Sequence, residues 1–110
     1  MSNRVDIPQI DVTDLAKAHA SGATVLDVRN PDEYEAGHVP GAVLIPLPEL
    51  VARVDEVPTG EPLYVICAVG GRSQRACEHL VGTGRDVANI AGGTKAWIEA
   101  GFDVTGGSQP

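Results

Sequence analysis

Leu63-Tyr64-Val65-Ile66-Cys67-Ala68-Val69-Gly70-Gly71-Arg72-Ser73-Gln74-Arg75-Ala76-Cys77-Glu78-His79-Leu80-Val81 changes its pattern part-way along. Leu63 to Ile66 is a short, apolar, β-branched run that reads as a buried strand. Cys67 ends it, and a small loop with Gly70 and Gly71 follows. Beyond the loop, Ala76, Cys77, Leu80 and Val81 share one helical face, while Gln74, Glu78 and His79 lie away from it. A thiol between a strand's carboxyl end and a helix's amino end sits where backbone N–H groups converge and the helix dipole is positive. That setting favours a thiolate and makes Cys67 the candidate nucleophile.

Working outward, the same strand-then-helix rhythm recurs. Upstream, Ile7 to Val12 reads as an edge strand that tolerates Pro8, and Thr13 as the N-cap of a helix reaching about Ala20. Val25 to Val28 is a strand, and Asp32 to Ala36 about one helical turn behind Asn30-Pro31. Ala42 to Ile45 is a third strand. Pro48 then opens a predicted helix with Leu50, Val51 and Val54 on one face, stopping before Pro58. Downstream, Gly82 and Gly84 close the central helix, Val87 to Ile90 is a fifth strand, and Gly92-Gly93 a tight turn. A last helix from Thr94 to Ala100 is expected to bury Ala96, Trp97 and Ala100. Strands alternating with short helices imply an α/β fold, and continuously apolar strands a mostly parallel sheet covered on both faces. Ligands of such sheets bind at the carboxyl ends of the strands. Cys67 occupies one of those ends, and Asp27 and Arg29 another.

Length and composition narrow the class. Residues 1–110 suit one domain, with flexible ends expected at about 1–6 and 105–110. Hydrophobic residues make up 43% and charged residues 21%, as in a soluble globular chain. No apolar stretch approaches a membrane span and no signal-like region follows Met1-Ser2-Asn3-Arg4, so a cytoplasmic location is expected. The net charge of −7 argues against nucleic acid and anionic membranes as partners. Two cysteines make no disulfide framework, and with the three histidines they form no metal-ligand spacing. Neither a metal nor a cofactor is expected.

Four segments together carry a family resemblance: Val25-Leu26-Asp27-Val28-Arg29 with Glu33-Tyr34; Gly37-His38-Val39-Pro40-Gly41-Ala42 with Ile45-Pro46; Cys67-Ala68-Val69-Gly70-Gly71-Arg72-Ser73; and Gly92-Gly93 with Ala96-Trp97. In this order and spacing the chain resembles a single-domain rhodanese, a thiosulfate sulfurtransferase-like protein. The resemblance implies three layers, with a five-stranded, mostly parallel sheet of order 1-5-4-2-3 between helices. It also implies sulfurtransferase activity, in which a sulfane sulfur moves from a donor such as thiosulfate to a thiophilic acceptor through a persulfide on Cys67. Ala68, Val69, Gly70, Gly71, Arg72 and Ser73 then form the substrate loop, supported by Asp27 and Arg29. The implied partners are thiosulfate, cyanide or thiols, or a sulfur-relay protein. Two further readings are a persulfide carrier serving a partner enzyme and a non-catalytic binding or regulatory module.

The chemistry of the segment is consistent with this. A free thiol near pKa ~8.5 is mostly protonated at neutral pH, and helix N-termini or cations lower it to roughly 3.5–7.5. Cysteine-dependent phosphatases and arsenate reductases use a longer C-x5-R loop, whereas Cys67 and Arg72 enclose four residues. Arg72 is expected to contact an anion and Ser73 to act as an N-cap, with contact to the sulfur site as its second reading. Asp27 and Arg29 are expected to pair beneath the loop, and His38 to serve as a structural hydrogen-bonding residue. Cys77 and Trp97 read as core, His19 and His79 as surface residues, and Gly70 and Gly71 as positions set by backbone geometry. Ala68 stands where thiosulfate-specific members often carry a basic residue, which leaves Arg72, Arg29 or Arg75 to supply charge for the donor.

Overall fold

The computed structural model describes residues 6–110, so the flexible end expected at 1–6 lies almost wholly outside the described residues. Strands β1 (Gln9–Ile10), β2 (Val25–Asp27), β3 (Val43–Leu44), β4 (Leu63–Ile66) and β5 (Val87–Ile90) form one sheet in the order β1-β5-β4-β2-β3. The expected order holds, and every pairing is parallel. Opposite Ile66 of β4 stands Asp27 of β2, so the strand bearing Asp27 and Arg29 runs beside the one that delivers Cys67.

Alternation along β4 builds both halves of the core. Leu63, Val65 and Cys67 point to one side, where they pack with Ala76, Cys77 and Leu80 of α3 (Gly71–Gly82). Ile66 points to the other, with Leu15 of α1 (Val12–Ala20), Tyr34 of α2 (Pro31–Ala36) and Trp97 of α4 (Gly93–Glu99). Three layers result, because a strand's successive side chains face opposite ways and both faces here are apolar.

Several boundaries differ from the sequence reading. β1 covers two residues, and Asp11, not Thr13, caps α1 by accepting the Asp14 N–H at 2.8 Å. The helix expected from Pro48 is instead two 3₁₀ turns, Leu47–Glu49 and Val54–Glu56. Pro46 and Pro48 have no N–H to donate, and the single α-type bond from Arg53 N–H to the Glu49 carbonyl is not propagated. Leu50 is buried by this arrangement, with Leu47 and Val54 beside it, while Val51 is turned out at 67% exposure. In α4, Trp97 is buried as expected, but Ala100 lies exposed past the helix end.

The end expected to be flexible is paired in the structure. His38 and Thr105 exchange backbone hydrogen bonds of 2.9 and 2.8 Å as an antiparallel bridge, and Gly107 N–H donates to the Glu35 carbonyl at 2.8 Å. Trp97 Nε1 donates to the Asp103 carbonyl, which fixes the start of this strap.

Candidate active site

Cys67 emerges from β4 with its side chain buried, and the chain turns at once. Gly70 adopts φ +115°, a left-handed conformation that other residues resist, and acts as the N-cap residue of α3. The turn aims backbone at sulfur: Gly70 N–H donates to Cys67 Sγ at 3.0 Å. Ser73 Oγ donates to the same sulfur at 3.3 Å. Burial pushes the thiol up, but hydrogen bonds from the Ser73 hydroxyl and from the N–H groups of Ser73, Gly70 and Val69 outweigh it. The net effect holds Cys67 below the ordinary thiol range.

Ser73 is no N-cap; it sits inside α3, buried, with its hydroxyl on the sulfur. Gly70 requires its backbone geometry, whereas Gly71 has no left-handed φ and open space where a side chain would stand. Ala68 is half-buried, and Val69 stands out at 62% exposure. Arg72 does meet an anion, but an internal one: its Nη1 and Nη2 each donate at 2.8 Å to the two carboxylate oxygens of Glu33. Glu33 Oε1 also accepts the Asn30 N–H at 3.0 Å, closing the capping box of α2. Held mainly by Arg72, the Glu33 carboxyl falls to about 2.

Asp27 and Arg29 form the expected pair, fully inside the protein. Arg29 Nη2 lies 2.7 Å from Asp27 Oδ2, Nε donates to both carboxylate oxygens, and Nη2 also reaches the Gly37 carbonyl at 3.0 Å. His38, also buried, donates from Nδ1 to the Tyr34 carbonyl at 2.7 Å and stacks on the Tyr34 ring at 3.6 Å. His19 is not the surface residue expected: half-buried, it donates from Nε2 to the Pro40 carbonyl and meets Trp97 edge-on. Cys77 packs into the α3 side of the core, where burial pushes its thiol up to about 12.

Behind the loop stands a brace that the sequence reading did not assign. Thr94 N–H and Oγ1–H donate to the Cys67 carbonyl at 2.9 and 3.1 Å, and Lys95 N–H donates to the Ala68 carbonyl at 3.0 Å. Gly93 makes that approach possible, since a Cβ there would lie 2.5 Å from the Cys67 and Ala68 carbonyl atoms. Asn89, buried on β5, donates from Nδ2 to the Gly70 carbonyl at 3.2 Å and to Gln9 at 2.8 Å. The residue that presents its N–H to sulfur is therefore also held at its own carbonyl, one peptide further on. Gly92-Gly93 was the available signal, as paired glycines mark close backbone approach; Asn89 and Thr94 gave none.

Among the described residues, no group of three or more His, Cys, Asp and Glu is arranged to hold a metal ion. No helix of the described residues is long and apolar enough to cross a membrane. Two surface clefts lined by Gly60 and Glu61 lie at the amino ends of the strands, away from Cys67.

Residues 11–100 match the family model of the rhodanese-like domain. The chain belongs to the rhodanese-like family. A rhodanese-related protein from Thermoplasma volcanium superposes with a TM-score of 0.82 at 35% identity, over 89% of this chain and 97% of that one. A protein named sulfurtransferase from Allochromatium vinosum is 33% identical over 102 residues, covering 89% of this chain and 94% of its own. A putative sulfur carrier protein of Bacillus subtilis is 35% identical over 98 residues, covering 86% of this chain and 53% of its own. The chain spans 60%, 65% and 53% of the length of three curated relatives that it matches. The rhodanese fold thus accounts for the site's frame: central strand, short loop, helix.

Proposed function

We propose that the protein is a sulfurtransferase in which Cys67 accepts a sulfane sulfur as a persulfide and passes it to a thiophilic acceptor. The observation that carries this is the pair of donors on Cys67 Sγ, Gly70 N–H at 3.0 Å and Ser73 Oγ at 3.3 Å. A thiolate is the form that attacks sulfur, and the same donors can serve the anionic persulfide that replaces it. In the first half-reaction Cys67 Sγ attacks the donor's outer sulfur. The new S–S bond forms as the donor's own S–S bond breaks, and the remnant departs with the electron pair. In the second, an acceptor such as cyanide or a thiol attacks that outer sulfur, and Cys67 leaves as thiolate. Thiosulfate is the simplest model donor. No cofactor enters these steps. The proposed setting is the cytoplasm, a reducing compartment in which Cys67 and Cys77 stay thiols.

A persulfide carrier that loads from a partner enzyme is the second reading. It is favoured by Ala68, which brings no cation for a small anionic donor, and by the name of the B. subtilis relative. Incubating wild type and Cys67→Ser with thiosulfate, then adding cyanide, tests both. Intact mass should rise by one sulfur atom in wild type alone, and thiocyanate should form catalytically for a transferase or in single turnovers for a carrier. Equal sulfur loading of Cys67→Ser would overturn both readings.

A further inference from the structure

We propose, on the reading of Cys67 as the sulfur acceptor, that Glu33 is a specificity-determining residue: by saturating Arg72 it turns the site away from dianionic donors and toward donors with one negative charge or none. Arg72 is the single cation of the Cys67–Ser73 segment, and both of its terminal nitrogens are taken by the Glu33 carboxylate at 2.8 Å. Arg29 is likewise matched, buried against Asp27 at 2.7 Å. Both pairs are neutral as units, so among the described residues the Cys67 thiolate is met by backbone N–H groups and the Ser73 hydroxyl rather than by a free cation of the loop.

Among the described residues, the cations that follow the loop and open α4 lie elsewhere. Arg75 is exposed and stands about 200° around α3 from Ser73, whose hydroxyl marks the sulfur-facing side. Lys95 is exposed in the first turn of α4, whose N–H groups hold the loop from its carbonyl side. A donor approaching Sγ therefore meets a thiolate and two closed ion pairs. Coulomb repulsion grows with the product of the charges, so a dianion is opposed about twice as strongly as a monoanion at equal distance.

Thiosulfate and methanethiosulfonate isolate this variable, because both offer one sulfane sulfur and differ by one charge. In each, Cys67 S⁻ attacks the outer sulfur and the donor S–S bond breaks. Sulfite leaves from thiosulfate and methanesulfinate from methanethiosulfonate, each with the bonding electron pair. Glu33→Gln keeps a residue that can close the α2 capping box while freeing Arg72. The ratio of kcat/KM for thiosulfate over methanethiosulfonate should rise about tenfold in Glu33→Gln, the scale of one unit of charge interaction. Salt adds a second readout: wild-type kcat/KM for thiosulfate should increase with ionic strength, and more steeply than in Glu33→Gln, as screening relieves repulsion. A ratio unchanged or lowered in Glu33→Gln, or a thiosulfate kcat/KM that falls with salt in wild type, overturns the donor selection alone. A wild type that acquires sulfur from neither donor overturns the reading of Cys67 beneath it.

Discussion

Cys67 and Cys77 are both buried thiols in the same apolar cluster, yet their surroundings push them to opposite sides of the ordinary thiol range. The difference lies in the backbone around them. Cys77 sits within α3, where N–H groups are spent on the helix's own carbonyls, so burial acts unopposed and drives its thiol to about 12. Cys67 precedes the helix, where N–H groups have no such partner, and Gly70 and Ser73 turn theirs inward. Burial is shared; the supply of unspent donors is not. Thiol character here is a property of chain position more than of accessibility.

The sharpest way to break the comparison is to exchange the sulfurs in turn. Cys67→Ser should lower sulfur transfer by at least about 10³-fold, since the nucleophile itself is removed. Cys77→Ser should leave turnover near wild type but cost about 1–3 kcal/mol, because a hydroxyl is buried without a partner. Thiocyanate assays and urea unfolding of both variants separate the two outcomes.

Next in size is the brace. Gly93→Ala combines φ +60° with a Cβ 2.5 Å from the Cys67 and Ala68 carbonyls, so about 3 kcal/mol of stability should be lost. Iodoacetamide alkylation of Cys67 should slow in the same protein, making it more like Cys77. Ser73→Ala is milder. Loss of the hydroxyl on Sγ should move the alkylation midpoint upward in pH and slow the neutral rate roughly 3–10-fold, with Cys77 unchanged.

The smallest effect concerns Glu33, whose pKa falls from 4.5 to about 2 in the folded protein. A lowered folded-state pKa adds stability that is complete above about 4.5 and disappears as pH falls through about 2. With the pair roughly one-third exposed, that contribution is at most about 1 kcal/mol, and Glu33→Gln should flatten this part of the acid limb in urea titrations.

Much of this architecture was legible in the sequence. β4 and β5 occur at the expected residues, because short β-branched runs between turn residues admit few alternatives. Cys67 was legible for the same reason: it is where such a run stops. Leu47 to Glu56 misled, since its apolar spacing suits a helix while Pro46 and Pro48 withhold the donors one needs. For Ser73 local propensity put a cap ahead of contact with the sulfur site, whereas its partner is six residues back across a loop. The Arg72–Glu33 pair joins residues 39 apart, and the Thr94 brace joins residues 27 apart. Local pattern has no access to such pairings, which depend on how β2, β4 and β5 lie side by side.

The strap at the far end of the chain bears on how the molecule opens. Thr105 and Gly107 hold the α2 region by three backbone bonds, to His38 and Glu35, while much of the segment around them is exposed. So thin an attachment belongs to the weakest cooperative unit of a domain, released long before the sheet. Its release uncovers one flank of α2, the short helix from which Glu33 reaches Arg72. Amide exchange at His38 and Thr105 is therefore a clock for the helix that steadies the sulfur loop, readable while the rest of the domain remains closed.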